Sequence, residues 1–205
     1  GAASDSNGIT LFAVPADNAG ITRERRHLVD HRGYADITFE NVHVGADAVL
    51  GEVGGGRATL DRVLDCTTAM AAAEALGVAI QAFETTLDYL KTRVQFGQLI
   101  GAFQALQHRA AKMYTEIQLA RPSLDEAMHA LDTEAADAPA LVSLAKTTVN
   151  ELAHLISREM IQMHGGIGMT DAHDAGFYLK RARALEAAFG TAAYHRERFG
   201  RLNGL

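Results

Sequence analysis

"RVQFGQLIGAFQALQHR", residues 93–109, sits between two long apolar periodicities, and reading it as the connection between two helices decides the fold. Upstream, Leu76, Ile80, Phe83, Leu87, Leu90 and Val94 step by four and three, which places them on one stripe of a helix running from about Thr59 to Arg93. Downstream, Phe103, Leu106, Ala110, Met113, Ile117 and Ala120 form a second stripe, which Pro122 is expected to kink or end. Within the quoted stretch a helix stops near Arg93, an exposed loop carries Phe96 and Gly97, and a new helix opens near Phe103 with Gln104 in its first turn.

The helical pattern continues to the C-terminus. After the acidic, alanine-rich "DTEAADAPA", Pro139 suits the first turn of a helix, and Ala145, Val149, Leu152, Ile156, Met160 and Met163 form its stripe. "QMHGGIGMTD" (162–171) unwinds it, and Thr170 or Asp171 is expected to cap a fourth helix carrying Phe177, Arg181, Leu185 and Ala188 and stopping near Gly190. Residues 187–195, "AAFGTAAYH", then join two helical stretches through a Gly-Thr pair. Four amphipathic helices with short connections predict an antiparallel bundle.

The first fifty residues follow another period. "ITLFAVP", "ITRERRHLV" and "ADITFENVHV" have the composition and alternation of strands, with "PADNAG" and "DHRGY" as turns. Three strands cover one apolar face at best and need a further surface to close against. The expected class is therefore mainly α: a four-helix bundle over 59–205, a linker at 51–58 and a partial β domain over 1–50. The glycines of "GEVGGGRA" lack the Gly-Lys-Ser/Thr continuation of a phosphate loop.

A formal charge of −6, from 19 basic and 25 acidic residues, gives no cationic face for a phosphate backbone, so no nucleic-acid partner is expected. No window reaches about 18 consecutive apolar residues, and "GAASDSNGIT" lacks the basic and apolar regions of a secretory leader, so no membrane role is expected either. The lone Cys66 fits a reducing, cytoplasmic compartment and reads as a small core residue. His108, His154 and His164 fall on separate elements without ligand spacing, so no metal site is expected.

Two motifs admit more than one reading. Arg93, Phe96 and Gln104 bring a guanidinium, a ring and an amide to one end of the bundle, a set that suits a pyrophosphate with an attached aromatic base; the alternative is a capping arginine with the phenylalanine tucked into the core. Gly165 and Gly166 could serve a closely approaching ligand or simply stop a helix. Following a helix rather than a strand, they do not form a Rossmann fingerprint.

"TRVQFGQLIGAFQALQHRAAKM", then "IQMHGGIGMT", then "LKRARALEAAFGTAAYHRERF", in that order and spacing, resemble the C-terminal helical domain of the flavin-dependent acyl-CoA dehydrogenases. "GITLFAVPADNAGI" and "ADITFENVHVGADAVLG" look like the second half of that family's middle β domain, so the chain is expected to be the back portion of a subunit nearly twice as long. The resemblance implies FAD, an acyl-CoA substrate, a dimer of dimers formed through the helical domain, and electron-transfer flavoprotein or another electron acceptor. It implies that Arg93, Phe96, Gln104, Gln162, Gly165 and Gly166 serve the FAD of a neighbouring subunit, and that Thr191 contacts the flavin of its own.

The family's reaction requires a carboxylate to take the α-proton. Most members carry it immediately before the Gly-Thr pair, where this chain has Phe189; a smaller group carries it on the first bundle helix, at the position of Thr67, beside Thr68, which replaces an arginine used toward CoA. The expectation is a subunit lacking the catalytic base that completes a partner's FAD site, as in members built from two different subunits and acting on steroid side chains. Two alternatives stand beside it: a competent dehydrogenase using Glu74 or Asp65 as base, and a cofactor-free helical interaction domain.

Overall fold

In a computed structural model, the described residues are 8–205; the first seven, part of the stretch in which no leader was expected, lie outside them. The chain divides into two compact units, Gly1–Asp65 and Cys66–Leu205. In the first, β1 (Leu11–Phe12) pairs antiparallel with β4 (Val49–Leu50), and β2 (Ile21–His27) pairs with β3 (Gly33–Phe39) from Ile21↔Phe39 to His27↔Gly33. The third expected strand is shortened: it ends at Phe39, Asn41 at φ 49° turns the chain, and the next pairing, at Val49–Leu50, lies beyond the stretch expected to be strand. The β2–β3 ribbon is almost wholly exposed. The glycine run is tied to the first strand segment. Gly54 N–H donates to Thr10 Oγ1 and Gly56 N–H to the Ile9 carbonyl, both at 2.9 Å. A Cβ on Gly56 would lie 2.9 Å from Leu11 Cγ, so only glycine permits this approach.

The helical unit is built on the part of α1 (Arg57–Thr92) that follows Asp65, and on α2 (Gln104–Asp132), α3 (Ala138–His164), α4 (Ala175–Ala187) and α5 (Ala192–Leu202), with the hairpin β5 (Val94–Gln95) and β6 (Gln98–Leu99) between α1 and α2. By length and composition α1 could cross a membrane; one of its faces, including Ala69, Ala72, Ala75 and Ala82, is buried in the bundle core. Those alanines, with Ala120, Ala127, Ala145 and Ala153, let helices approach closely, while Met113, Ile156 and Met160 fill the space between them. Each of the larger residues contributes on the order of 1.5–3 kcal/mol of burial. The stripe predicted for α3 is buried at every position.

Along α3, Asn150, Lys146, Ser143 and Pro139 meet Glu186, Leu185, His195 and Arg198 in that order, so α4 and α5 together run antiparallel to α3 as one rod broken at 188–191. The rod is the fourth member of the bundle.

Three local expectations change. Val94 leaves the α1 stripe and is more than half exposed, because α1 stops at Thr92 and the hairpin begins. Pro122 lies inside α2, which continues ten residues beyond it. The cost of roughly 3 kcal/mol for an interior proline is offset by burying Leu124, Ala127, Ala130 and Leu131 beyond it. The fourth helix starts at Ala175 rather than after Thr170 or Asp171: a 3₁₀ segment occupies Gly165–Met169, and His173 Nδ1 accepts from the Ala175 N–H.

Candidate functional site

The sequence-derived residues fall at two places. At the first, α1 ends and Arg93 opens the hairpin whose turn is Phe96-Gly97, with φ of 54° and 80°. Two successive positive φ values give a tight two-residue turn whose twist matches its strands; asparagine or aspartate usually holds the first position, where a bulky ring is strained. Phe96 is 91% exposed and makes one edge-on ring contact, to Phe103 at 6.1 Å. The reading that tucked this ring into the core is therefore wrong. Gly101 lets the chain return onto α1: a Cβ there would lie 2.8 Å from the Leu90 carbonyl oxygen. Gln104 then opens α2, exposed.

The paired glycines come to the same end. Tyr89, one turn before Arg93, stacks on His164 at 4.3 Å and donates from its hydroxyl to the His164 carbonyl at 3.4 Å. Gly165 follows at φ 64° and is exposed like Gly166, and a Cβ built on either meets nothing within 4 Å. Gln162, also exposed, lines a concavity of about 480 Å³ with Arg109, Arg158 and Glu159; Arg109 spans α2 to α3 by pairing with Glu159 at 3.0 Å. Arg93, Phe96, Gln104, Gln162, Gly165 and Gly166 therefore share one end of the bundle and present their polar atoms, their ring and their bare backbone outward.

Phe189, Gly190 and Thr191 form the break between α4 and α5, beside the Ser143–Asn150 segment of α3 and so roughly 25–30 Å along that helix from Gly165. Phe189 is half exposed at φ 57° and Gly190 sits at φ 113°. Thr191 Oγ1 caps α5 by accepting the Tyr194 N–H at 3.3 Å, which leaves the hydroxyl proton outside that bond. It also lines a concavity of about 440 Å³ with Asn150, His154, Arg183 and Glu186.

The acidic candidates are constrained. Glu74 accepts from Arg181 Nε at 2.8 Å and from Arg181 Nη2 at 2.7 Å, a bidentate pair engaging both carboxylate oxygens. Asp65 and Thr68 are buried, and Thr67 is partly so.

A family model described as the acyl-CoA dehydrogenase C-terminal domain matches residues 54–202. The chain belongs to that family. It is 35% identical over 190 residues to the bovine mitochondrial short/branched chain specific acyl-CoA dehydrogenase, covering 90% of this chain and 43% of the relative. Among solved structures, it is similar to butyryl-CoA dehydrogenase from Megasphaera elsdenii (TM-score 0.91, 26% identity, 96% of this chain and 52% of that one). It is similar also to the ChsE4-ChsE5 complex from Mycobacterium tuberculosis (TM-score 0.84, 26% identity, 95% and 52%). The chain spans about half the length of these relatives.

In this acyl-CoA dehydrogenase domain, sequence reasoning missed a set of buried polar residues. Lys146 is fully buried, and its Nζ donates to Asn150 Oδ1 at 3.0 Å and to the Leu185 carbonyl at 2.6 Å. Burial lowers its pKa from 10.5 to about 8, partly opposed by the Glu186 carboxylate. His195 donates from Nε2 to the Phe189 carbonyl at 3.0 Å; burial lowers its pKa, the bond to Phe189 opposes this, and Arg198 and Lys146 add to the lowering. His164, at the other end, donates from Nδ1 to the Met160 carbonyl at 2.7 Å while its Nε2 is buried without a hydrogen-bond partner. The available signal was spacing: Ser143, Lys146, Thr147 and Asn150 repeat at three and four, a polar stripe beside the apolar one.

Proposed function

We propose that the protein containing this chain is an FAD-dependent acyl-CoA dehydrogenase that converts an acyl-CoA thioester to the 2-enoyl-CoA. In this reading the chain completes a partner subunit's FAD site while lacking a catalytic carboxylate of its own. Bound FAD would supply the hydride acceptor for the β-hydrogen. The residues present suit that cofactor: Arg93 offers a guanidinium fork for a pyrophosphate, Phe96 an open ring face, Gln104 and Gln162 exposed amides, and Gly165 and Gly166 a backbone with free space beside it. Thr191, with a hydroxyl proton to give, would meet the flavin of its own subunit. Electron-transfer flavoprotein or another acceptor would reoxidise the enzyme, and fatty acids or steroid side chains are the substrate classes in view.

One observation carries the base-lacking reading. Phe189 and Thr67 hold the two carboxylate positions, while Glu74, an acidic candidate further along α1, has both oxygens engaged by Arg181. A base must reach the α-carbon before its pKa matters, and a carboxylate clamped to a guanidinium is poorly placed to accept a proton. The membership of a two-subunit complex among the structural relatives supports a hetero-oligomer.

The test is the full-length protein, purified alone and co-expressed with a paralogue bearing the missing carboxylate. Flavin absorption that bleaches under acyl-CoA only in the co-expressed preparation is the expected result. Full turnover by the homo-oligomer overturns the base-lacking reading, and a rate loss of at least about a hundredfold in Glu74→Gln or Asp65→Asn would then identify the base. A colourless protein from both preparations would favour the helical interaction domain.

A further inference from the structure

We propose that Lys146 and Asn150 on α3 and His195 on α5 are positioning residues that clamp the α4–α5 corner, fixing the orientation in which Thr191 meets a flavin. The second half of this rests on the reading given above for Thr191; the clamp itself does not.

A helix leaves its last carbonyls without backbone donors. In α4 the final backbone bond runs from the Ala188 N–H to the Ala184 carbonyl, and the next two carbonyls are satisfied from α3: Leu185 by Lys146 at 2.6 Å and Glu186 by Asn150 Nδ2 at 3.3 Å. The Phe189 carbonyl, beyond the helix, is taken by His195. Three carbonyls across five residues are thus held by three side chains, two of them at 0–1% exposure. The donors are also connected, since Lys146 donates to Asn150 Oδ1, and His195 Nδ1 lies 3.4 Å from Ser143 Oγ, which accepts from Arg198.

The chemistry fits the place. An ammonium at a helix C-terminus faces the negative end of the helix dipole, which offsets part of the cost of burying it. The corner needs such support. Phe189 in the left-handed region is a strained non-glycine, and strain of this kind persists only where the surroundings over-determine it. Gly190 is confined as well, since a Cβ there would lie 2.6 Å from Tyr194 Cδ1 and 2.8 Å from His195 Nε2. Thr191 follows directly, so the direction of its hydroxyl is inherited from the clamp.

The test uses the full-length protein, with its partner if one is required, as Lys146→Met and the milder Asn150→Ala. Ile117→Ala, in the core of α2, serves as a control for general destabilisation. Amide hydrogen exchange of the Ala188–Tyr194 segment and the visible flavin band are read in each. Exchange in that segment accelerated by at least about tenfold, with a shifted flavin band, in the two clamp variants but not in the control is the expected result. Unchanged exchange overturns the clamp, and accelerated exchange with an unmoved flavin band overturns its role in orienting Thr191. A wild-type protein devoid of flavin removes the parent reading, and exchange alone then upholds or overturns the clamp.

Discussion

Phe189-Gly190 at the α4–α5 corner and Phe96-Gly97 in the hairpin turn are both pairs at positive φ with an aromatic residue in first place, yet their surroundings are opposite. The corner is held by buried donors from α3 and α5, and its glycine is hemmed in on one side. The hairpin turn has open space around Gly97, and Phe96 is 91% exposed. The corner's strained pair is held by side chains from two helices; the turn's is held by the two-residue hairpin itself and leaves its ring in the open.

Gly190→Ala against Gly97→Ala puts this difference to its hardest test. Both substitutions place a Cβ at positive φ, which costs roughly 1 kcal/mol; at Gly190 the new atom also collides with Tyr194 and His195. Urea denaturation is expected to show a loss of about 3 kcal/mol or more at 190 and about 1 kcal/mol at 97. Equal losses would mean that the corner is no more constrained than the turn.

The second prediction concerns charge at the corner. Lys146 has a folded-state pKa of about 8 against 10.5 for the free side chain, so between those values the unfolded chain binds the extra proton and stability rises with pH. The burial cost is fully present below pH 8 and is relieved as pH climbs toward 10.5. Lys146→Met lacks this rise. The stability gap between wild type and variant should therefore widen by about 2 kcal/mol from roughly pH 7.5 to 9.5, as measured by denaturation at each pH. A gap that narrows would show that Lys146 is held as a stabilised cation instead.

The same contrast explains what the sequence could disclose. The stripes of α1, α2 and α3 were legible because a buried face must repeat at the helical period, and Leu76, Ile117 and Ile156 obey it. Val94 broke the pattern because periodicity does not register that a hairpin has started. Pro122 misled because burial beyond it outweighs a local defect. At the hairpin end, the loop at Phe96-Gly97, the helix start at Gln104 and the helix stop at Gly165 were legible as breaks in the period. The clamp was not, because Lys146 and Asn150 look like solvated helix residues until the carbonyls they meet are placed by a rod nearly 40 residues away. Glu74 shows the converse: it resembles a free carboxylate in sequence, and only the fold brings Arg181 to it.

Phe96→Ala addresses the exposed end directly. The ring has little to lose within the chain, so stability should stay within about 0.5 kcal/mol of wild type. If the proposed FAD site is present, flavin retention by the full-length protein should fall by about tenfold or more, the scale of one lost stacking contact on an aromatic base, read from the flavin-to-protein absorbance ratio after dilution and gel filtration. A large stability loss with unchanged flavin content would return Phe96 to a structural role.

The smallest effect separates the two buried histidines. Burial is the leading cause of the lowered pKa at both His164 and His195, so each resists protonation, and their contribution is present above pH 6.5 and lost as pH falls below it. Their hydrogen bonds differ. His195 Nε2 serves the Phe189 carbonyl, whereas His164 Nε2 makes no hydrogen bond and its ring lies 4.3 Å from both Tyr89, stacked, and His173, tilted, in a cluster of three rings. His164→Phe keeps a ring in the stack and removes an unpaired buried nitrogen, so near neutrality it should cost under about 1 kcal/mol. Below pH 6.5 the variant should lose less stability than wild type, because it lacks one buried group whose proton uptake on unfolding favours the unfolded chain. His195→Phe leaves the Phe189 carbonyl without its donor, and should cost more at neutral pH while speeding exchange at the corner. If His164→Phe is the more damaging of the two, the unpaired nitrogen has a use that the chain by itself does not reveal, and the paired-glycine end is more than an open backbone.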